Sequence, residues 1–337
     1  MPVPDVPAAA TPGSADPIPR VGSAAPSPPK RLQPVLARRH AAGAPSARGL
    51  LFTVLGEYVL PGGGAVWTAT VISAMARLGV EEKATRQALM RTAADGWLTA
   101  DRVGRRTRWL LTSSAEELLT AGTERIYGFG AHRADWDGSW LLVLARAPES
   151  ERAARHVLRT RLTWAGLGNP APGVWISTHA ERLGEVERAL QEAGLADDAQ
   201  VFRGHHEGGQ LAAMVAQAWD LDAIGRSYDA FLTAFADAAG RDPLAATIEL
   251  VHAWRRFPFT DPDLPRQLLP GEWSGARAAA LFRRRHAEWS PAAQEEWRRE
   301  AAAAEQVQQL TAGRGYGAAS DQNTSTSKWP ADASGSP

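Results

Sequence analysis

The sequence predicts an α+β chain of three folded units: an N-terminal winged helix-turn-helix, a central ferredoxin-like α/β domain and a C-terminal helical domain. Three observations lead there. Residues 80–111, VEEKATRQALMRTAADGWLTADRVGRRTRWLL, join a helical period to two strand-like runs separated by Gly-Arg. Residues 140–204 alternate short apolar runs with amphipathic stretches, in the order strand-helix-strand-strand-helix-strand. From residue 210 onward the apolar residues recur three and four apart, as on helices.

Residues 1–46 hold 11 of the 23 prolines and are predicted to be disordered, because so little apolar surface cannot offset ordering entropy. The first folded unit spans 47–113. Ser46 is placed to cap a helix that carries Leu50, Leu51, Val54, Leu55 and Tyr58 inward as far as about Val59, and Pro61-Gly62-Gly63-Gly64 ends it. A second helix starts at Thr68 with Val71, Ile72, Met75 and Leu78 spaced three and four apart, and Gly79 closes it. At about 100° per residue, the next helix turns Ala84, Thr85, Ala88 and Thr92 to one side. Lys83, Arg86, Gln87 and Met90 then face outward, with Arg91 beside them. Residues 98–103 and 106–111 are predicted to pair as a hairpin across Gly104-Arg105, where Gly at the first loop position suits a type II′ turn. That hairpin carries Arg102, Arg105, Arg106 and Arg108. A helix with outward donors followed by a basic hairpin is what a winged module presents to double-stranded DNA. All nine of these residues are therefore predicted DNA contacts.

A connecting helix starting near Ser113-Ser114, and a linker, fill 114–136. The central domain is placed at 137–207. WLLVLA at 140–145 is continuous enough for a strand buried on both faces, and VWIST at 174–178 forms another. Helices are predicted at 149–164 and 180–193, with a last strand at 200–204. The helical domain follows at 208–307. It includes a helix at 248–257 stopped by Pro258, a proline-broken segment at 259–273 predicted to pack over the C-terminal helices, and helices at 276–286 and 291–307. Residues 308–337 are predicted to be disordered.

Charge is unevenly spread. Formal net charge is zero, yet residues 48–112 carry nine basic against five acidic side chains. A basic head on an acidic body suits a localised nucleic-acid contact. The absence of cysteine excludes disulfides, thiolate metal sites and cysteine nucleophiles. No secretory signal is evident and no window approaches about 18 uninterrupted apolar residues, so the expectation is a cytoplasmic protein without membrane contact.

With RQALMRTAADGWL at 86–98, VGRRTRW at 103–109, PGVWIS at 172–177 and HAWRRFPFTDPDLPRQLLPGEW at 252–273 in view, the chain resembles the PaaX family of bacterial transcriptional repressors over roughly residues 46–301. The last motif is the most specific, being long and irregular. The resemblance implies a central domain of Cas2-like type and a homodimer that represses genes of aromatic acid (phenylacetate-type) catabolism. It also implies an aromatic acyl-CoA effector, such as phenylacetyl-CoA, that releases the DNA. His252, Trp254, Arg255, Arg256, Phe257, Phe259 and Trp273 combine guanidinium donors with aromatic walls and are the expected effector site. No catalytic residue, metal or cofactor is expected. Where a metal-dependent Cas2 nuclease holds an Asp near the end of its first strand, this chain has Leu144-Ala145-Arg146. The adjacent His205-His206 would point to opposite faces of a strand. The rival function is an acyl-CoA-handling enzyme with an accessory winged module, for which no paired catalytic acid and nucleophile is visible.

Overall fold

A computed structural model describes residues 45–130, 136–148 and 150–317, with side chains as far as 307. The predicted N-terminal tail thus lies almost wholly outside the described residues, as do residues 131–135 of the predicted linker and 318–337 of the predicted C-terminal tail.

The chain enters the fold at α1 (Ala47–Val54), whose first turn is capped by Ser46 Oγ accepting the Gly49 N–H at 3.0 Å. The helix then widens into one π-helical turn over Leu55–Val59. A short strand β1 (Ala65–Trp67) leads into α2 (Thr68–Ala76) and α3 (Glu82–Ala94). Strands β2 (Leu98–Val103) and β3 (Arg106–Leu111) complete an antiparallel sheet of order β1-β3-β2. The sequence does not predict β1, since three residues give no readable alternation. At the hairpin tip Gly104 has φ of 63° and Arg105 is not left-handed, the backbone of a type II′ turn. Thr112, one residue before the expected cap, accepts the Ala115 N–H at 3.3 Å and starts α4 (Ser113–Gly128).

The middle of the chain forms β4 (Ser139–Leu144), α5 (Arg152–Trp164), β5 (Gly168–Ala171), β6 (Val174–Ser177), α6 (Leu183–Ala193) and β7 (Gln200–His205). The sheet order is β5-β6-β4-β7 and every pairing is antiparallel, which is the ferredoxin-like arrangement. One sheet face buries Leu141, Val143 and Trp175 against Leu158 and Leu162 of α5 and Val186 and Leu190 of α6. The opposite face carries Trp140 and Ile176, and α7 (Leu211–Ala218) lies over it through Val215. The β4 run is therefore covered on both sides, as its unbroken apolar sequence requires.

Helices α8 (Leu221–Ala234), α9 (Pro243–Trp254), the short α10 (Phe257–Thr260) and α11 (Gly275–Gly317) make the C-terminal body. Three expectations are corrected here. Helix α9 starts at Pro243, five residues before the predicted helix, because Asp242 Oδ1 caps it by accepting the Ala245 N–H at 2.9 Å. The two predicted final helices are one, with Pro291 inside it, and α11 continues to Gly317, through the first ten residues of the predicted tail. The segment at 259–273 does not pack only on helices. Leu264, Leu268 and Leu269 cover the Trp140–Ile176 face of the central sheet, while Trp273 meets Tyr228 of α8 at 5.6 Å between ring centroids.

The core of the N-terminal unit is not closed by its own residues. Leu244 and Ile248 of α9 and Ala293 and Trp297 of α11 belong to the same buried cluster as Leu51, Leu55, Met75 and Trp97. No helix among the described residues is long and apolar enough to cross a membrane.

Candidate nucleic-acid interface

Helix α3 buries Thr85, Ala88, Leu89 and Thr92. Its period then forces Lys83, Arg86, Gln87, Met90 and Arg91 outward, and all five are exposed. Met90, at 62 % exposure, is a large apolar side chain left in solvent on an otherwise polar face. Along that face Arg86 pairs with Glu82 at 2.7 Å, and Arg91 donates to Gln87 Oε1 at 3.1 Å. Arg86 and Glu82 are 57 % and 60 % exposed, so their pair contributes at most about 1 kcal/mol and can be exchanged for another anion.

The four hairpin arginines divide into two kinds. Arg102 and Arg105 are exposed, with no ion-pair or hydrogen-bond partner among the described residues. Arg106 is half-buried and donates to the Ala304 carbonyl of α11 at 3.2 Å. Arg108 holds Asp101 at 2.9 Å across the β2–β3 pair and lies 5.8 Å from the Trp67 ring. The α3 face and the hairpin tip thus together present five solvent-facing cations without a buried partner: Lys83, Arg86, Arg91, Arg102 and Arg105.

The seven residues expected to gather around an effector point to different neighbours instead. Trp254 and Phe257, each 1 % exposed, sit in a packed aromatic core. There Phe257 stacks on Tyr228 at 4.1 Å and Trp254 on Phe282 at 4.8 Å. The Trp254 indole N–H is satisfied by the Ile126 carbonyl. Phe259 meets Trp164 of the central domain, Trp273 meets Tyr228, and Arg256 is exposed. His252 and Arg255 turn toward α1, His252 Nδ1 lying 3.1 Å from Thr53 Oγ1 and Arg255 donating to the Gly49 carbonyl at 3.0 Å. Arg255 keeps part of its surface, but its charge is so surrounded by protein that burial lowers the guanidinium to about 10.

Sequence reasoning missed the polar seam that fixes the basic head to the body. Arg77, the residue that caps the C-terminus of α2, is gripped by Asp242, Glu296 and Glu300. Glu57, on the π-helical turn, accepts from the Tyr127 hydroxyl and lies 2.9 Å from His286 Nε2, while its backbone carbonyl accepts from Gln294. A signal existed for Glu57: a single acid in LLFTVLGEYVL must be paired wherever that apolar helix is buried. Arg77 carries no such signal, since exposed helix arginines are ordinary. Between the head and α11 also lies a cleft of about 350 Å³ whose walls include Trp67, Thr70 and Trp297.

These features define the class: a mixed α+β chain in which a basic helix-and-hairpin head is cemented to a helical body around a ferredoxin-like sheet. Three family models match it in turn, "PaaX-like protein" over residues 46–115, "PaaX protein central Cas2-like domain" over 133–216 and "PaaX-like protein C-terminal domain" over 219–299. The chain is 30% identical over 251 residues to the transcriptional repressor PaaX of Escherichia coli strain K12, covering 70% of this chain and 78% of that one. It belongs to the PaaX family. A solved structure, the uncharacterized protein Rv0674 from Mycobacterium tuberculosis, shares the fold at 21% identity with a TM-score of 0.53, covering 76% of this chain and all of the other. The central match runs through 216 and so takes in α7 as far as Ala216, a helix that the sequence assigned to the helical domain and the structure packs on the central sheet.

Proposed function

We propose that this chain is a cytoplasmic transcriptional repressor that binds double-stranded DNA through its N-terminal unit, a winged helix-turn-helix. The observation that carries this reading is the solvent-facing set Lys83, Arg86, Gln87, Met90 and Arg91 on α3 beside the uncommitted Arg102 and Arg105. Helix α3 would lie in the major groove, where Arg86 and Gln87 suit guanine and adenine edges and Met90 a thymine methyl group. Arg102 and Arg105 would hold phosphates next to it. The identity to a protein named as a transcriptional repressor supports the regulator over the enzyme reading.

The functional unit is a homodimer, because two rigidly held heads matching two half-sites give the affinity and register that one head lacks. Its units are the winged head (47–113), the connecting helix and linker (114–136), the Cas2-like domain (137–207) and the helical domain (208–307). Its genes are those of aromatic acid catabolism, and an aromatic acyl-CoA releases it from them, as membership of the family suggests. The test is fluorescence anisotropy of labelled DNA from upstream of its own and neighbouring genes, with and without arylacetyl-CoA, together with sedimentation of the free protein. Retention of one fragment over random duplex, lost on adding the thioester, is the expected result. Binding that ignores sequence would overturn it.

A further inference from the structure

The cleft between the head and α11 has the build of a ligand site. Trp67, before α2, and Trp297, on α11, are each 6 % exposed and form two of its walls. Trp297 is fixed from behind by stacking on Tyr58 at 5.0 Å. The Thr70 hydroxyl has no hydrogen-bond partner among the described residues, although Thr70 is only 2 % exposed and lines the cleft. That hydroxyl is closed off behind the cleft wall, so it is an unmet polar contact that an oxygen atom of a ligand would satisfy once the Thr70 side chain turns toward the opening. Two cations line the same space, Arg108 and Arg298, the second 67 % exposed and paired with Glu295 of its own helix. The single carboxylate lining it, Glu305, is engaged by the Trp67 indole N–H.

The cleft also lies among the contacts that hold the head to α11. Trp67 to Glu305 and Arg106 to the Ala304 carbonyl join the sheet of the head to the helix, and Arg77 to Glu296 and Glu300 joins α2 to the same helix. Because Trp67 and Glu305 themselves line the cleft, a molecule bound there bears directly on the first of these contacts. None of the seven aromatic and basic residues predicted from sequence lines this cleft.

We infer that this cleft is the effector site, taking the aryl group of an aromatic acid derivative between Trp67 and Trp297 with its anionic portion toward Arg298. The inference rests on the proposed ligand-released repressor and adds the place and the mode of action. At about 350 Å³ the cleft falls at the small end of ligand pockets, enough for an aryl-acyl end but not for a whole CoA thioester. The nucleotide of a thioester would therefore remain outside, where Arg298 and Arg299 are both exposed on α11. The free acid and the thioester share the aryl-plus-anion chemistry, and the measurement separates them. The ligand acts as a wedge, and its occupancy favours a head orientation in which the α11 contacts are broken.

The test uses the full chain with phenylacetyl-CoA, free phenylacetate and acetyl-CoA as probes, followed by calorimetry and by DNA release. The aryl thioester should bind best and acetyl-CoA poorly. Ala301→Phe, which fills the cleft from the half-buried face of α11, should abolish binding while far-ultraviolet circular dichroism reports an intact fold. Arg298→Ala, at a site that touches neither the α3 face nor the hairpin tip, should weaken thioester binding about tenfold, the loss of one charge-assisted contact, with DNA affinity unchanged in its absence. If the thioester releases wild-type DNA and both variants bind it as the wild type does, the site lies elsewhere while ligand release itself stands. If no probe binds the wild type, the inference falls together with the effector half of the proposed function.

Discussion

Arg105 and Arg106 are neighbours in sequence with different work to do. Arg105 is free at the tip, whereas Arg106 holds a carbonyl of α11. Each phosphate contact adds about 0.9 to the log–log salt slope of duplex binding. Arg105→Ala should therefore flatten the slope by that amount and weaken every sequence alike, while Arg106→Ala should change the slope less and lower the melting temperature. Anisotropy titrations across a series of salt concentrations, paired with thermal melts, separate the two, and identical slope changes would put both arginines on DNA. Arg86→Ala should cost about 1–3 kcal/mol on the cognate site and little on random duplex. A competition assay decides it: equal losses would make Arg86 a backbone contact. The outward face of α3 was legible in the sequence because a helical period alone decides it. The commitment of Arg106 was not, since its partner lies 198 residues away and a half-buried arginine has the same letter as an exposed one.

Helix α1 widens at Leu55–Val59 and helix α11 passes through Pro291, and Glu57 on the wider turn meets His286 and Gln294 on either side of that proline. The wider turn carries Glu57, which α4 reaches through Tyr127 and α11 through His286. Glu57 has a side chain only 7 % exposed, so removing a partner leaves a carboxylate under-satisfied in a poor solvent. His286→Ala should destabilise the chain by about 1–3 kcal/mol, and His286→Gln, which restores a donor, should recover part of the loss. Urea denaturation midpoints give both numbers, and an unchanged midpoint for the alanine variant would remove Glu57 from the stability of the seam. Proline normally ends or kinks a helix by removing an N–H and crowding the preceding turn, which is why the sequence predicts two helices here. Burial on both sides of the proline offsets that cost: Trp289 lies in the aromatic core of the body, and Ala293 and Trp297 lie in the core of the head. The helices and the longer strands were readable from local periodicity, whereas the short β1 and β5 were not placed; the unbroken α11 depends on contacts made by segments distant in sequence.

Viewed whole, the molecule has fewer independent parts than its three family matches suggest. Leu244, Ile248, Ala293 and Trp297 complete the core of the head from outside it, and exposing a large apolar side chain costs about 1.5–3 kcal/mol each. A fragment of residues 45–128 should therefore melt far below the full chain or fail to give a cooperative transition, as circular dichroism would show. A fragment as stable as the full chain would mean the borrowed residues contribute little. The order of the units, the ferredoxin-like succession and the basic head were legible because strand and helix periods and charge are local properties. The shared core was not, because the apolar stripes of α9 and α11 look the same whether they face their own domain or another. This sharing constrains the making of hybrid regulators. A new sequence preference cannot be grafted by exchanging residues 46–115 alone, because the transplant would arrive with an unfilled hollow where Ile248 and Trp297 stood; the inward faces of Pro243–Trp254 and of α11 beyond Pro291 have to travel with it.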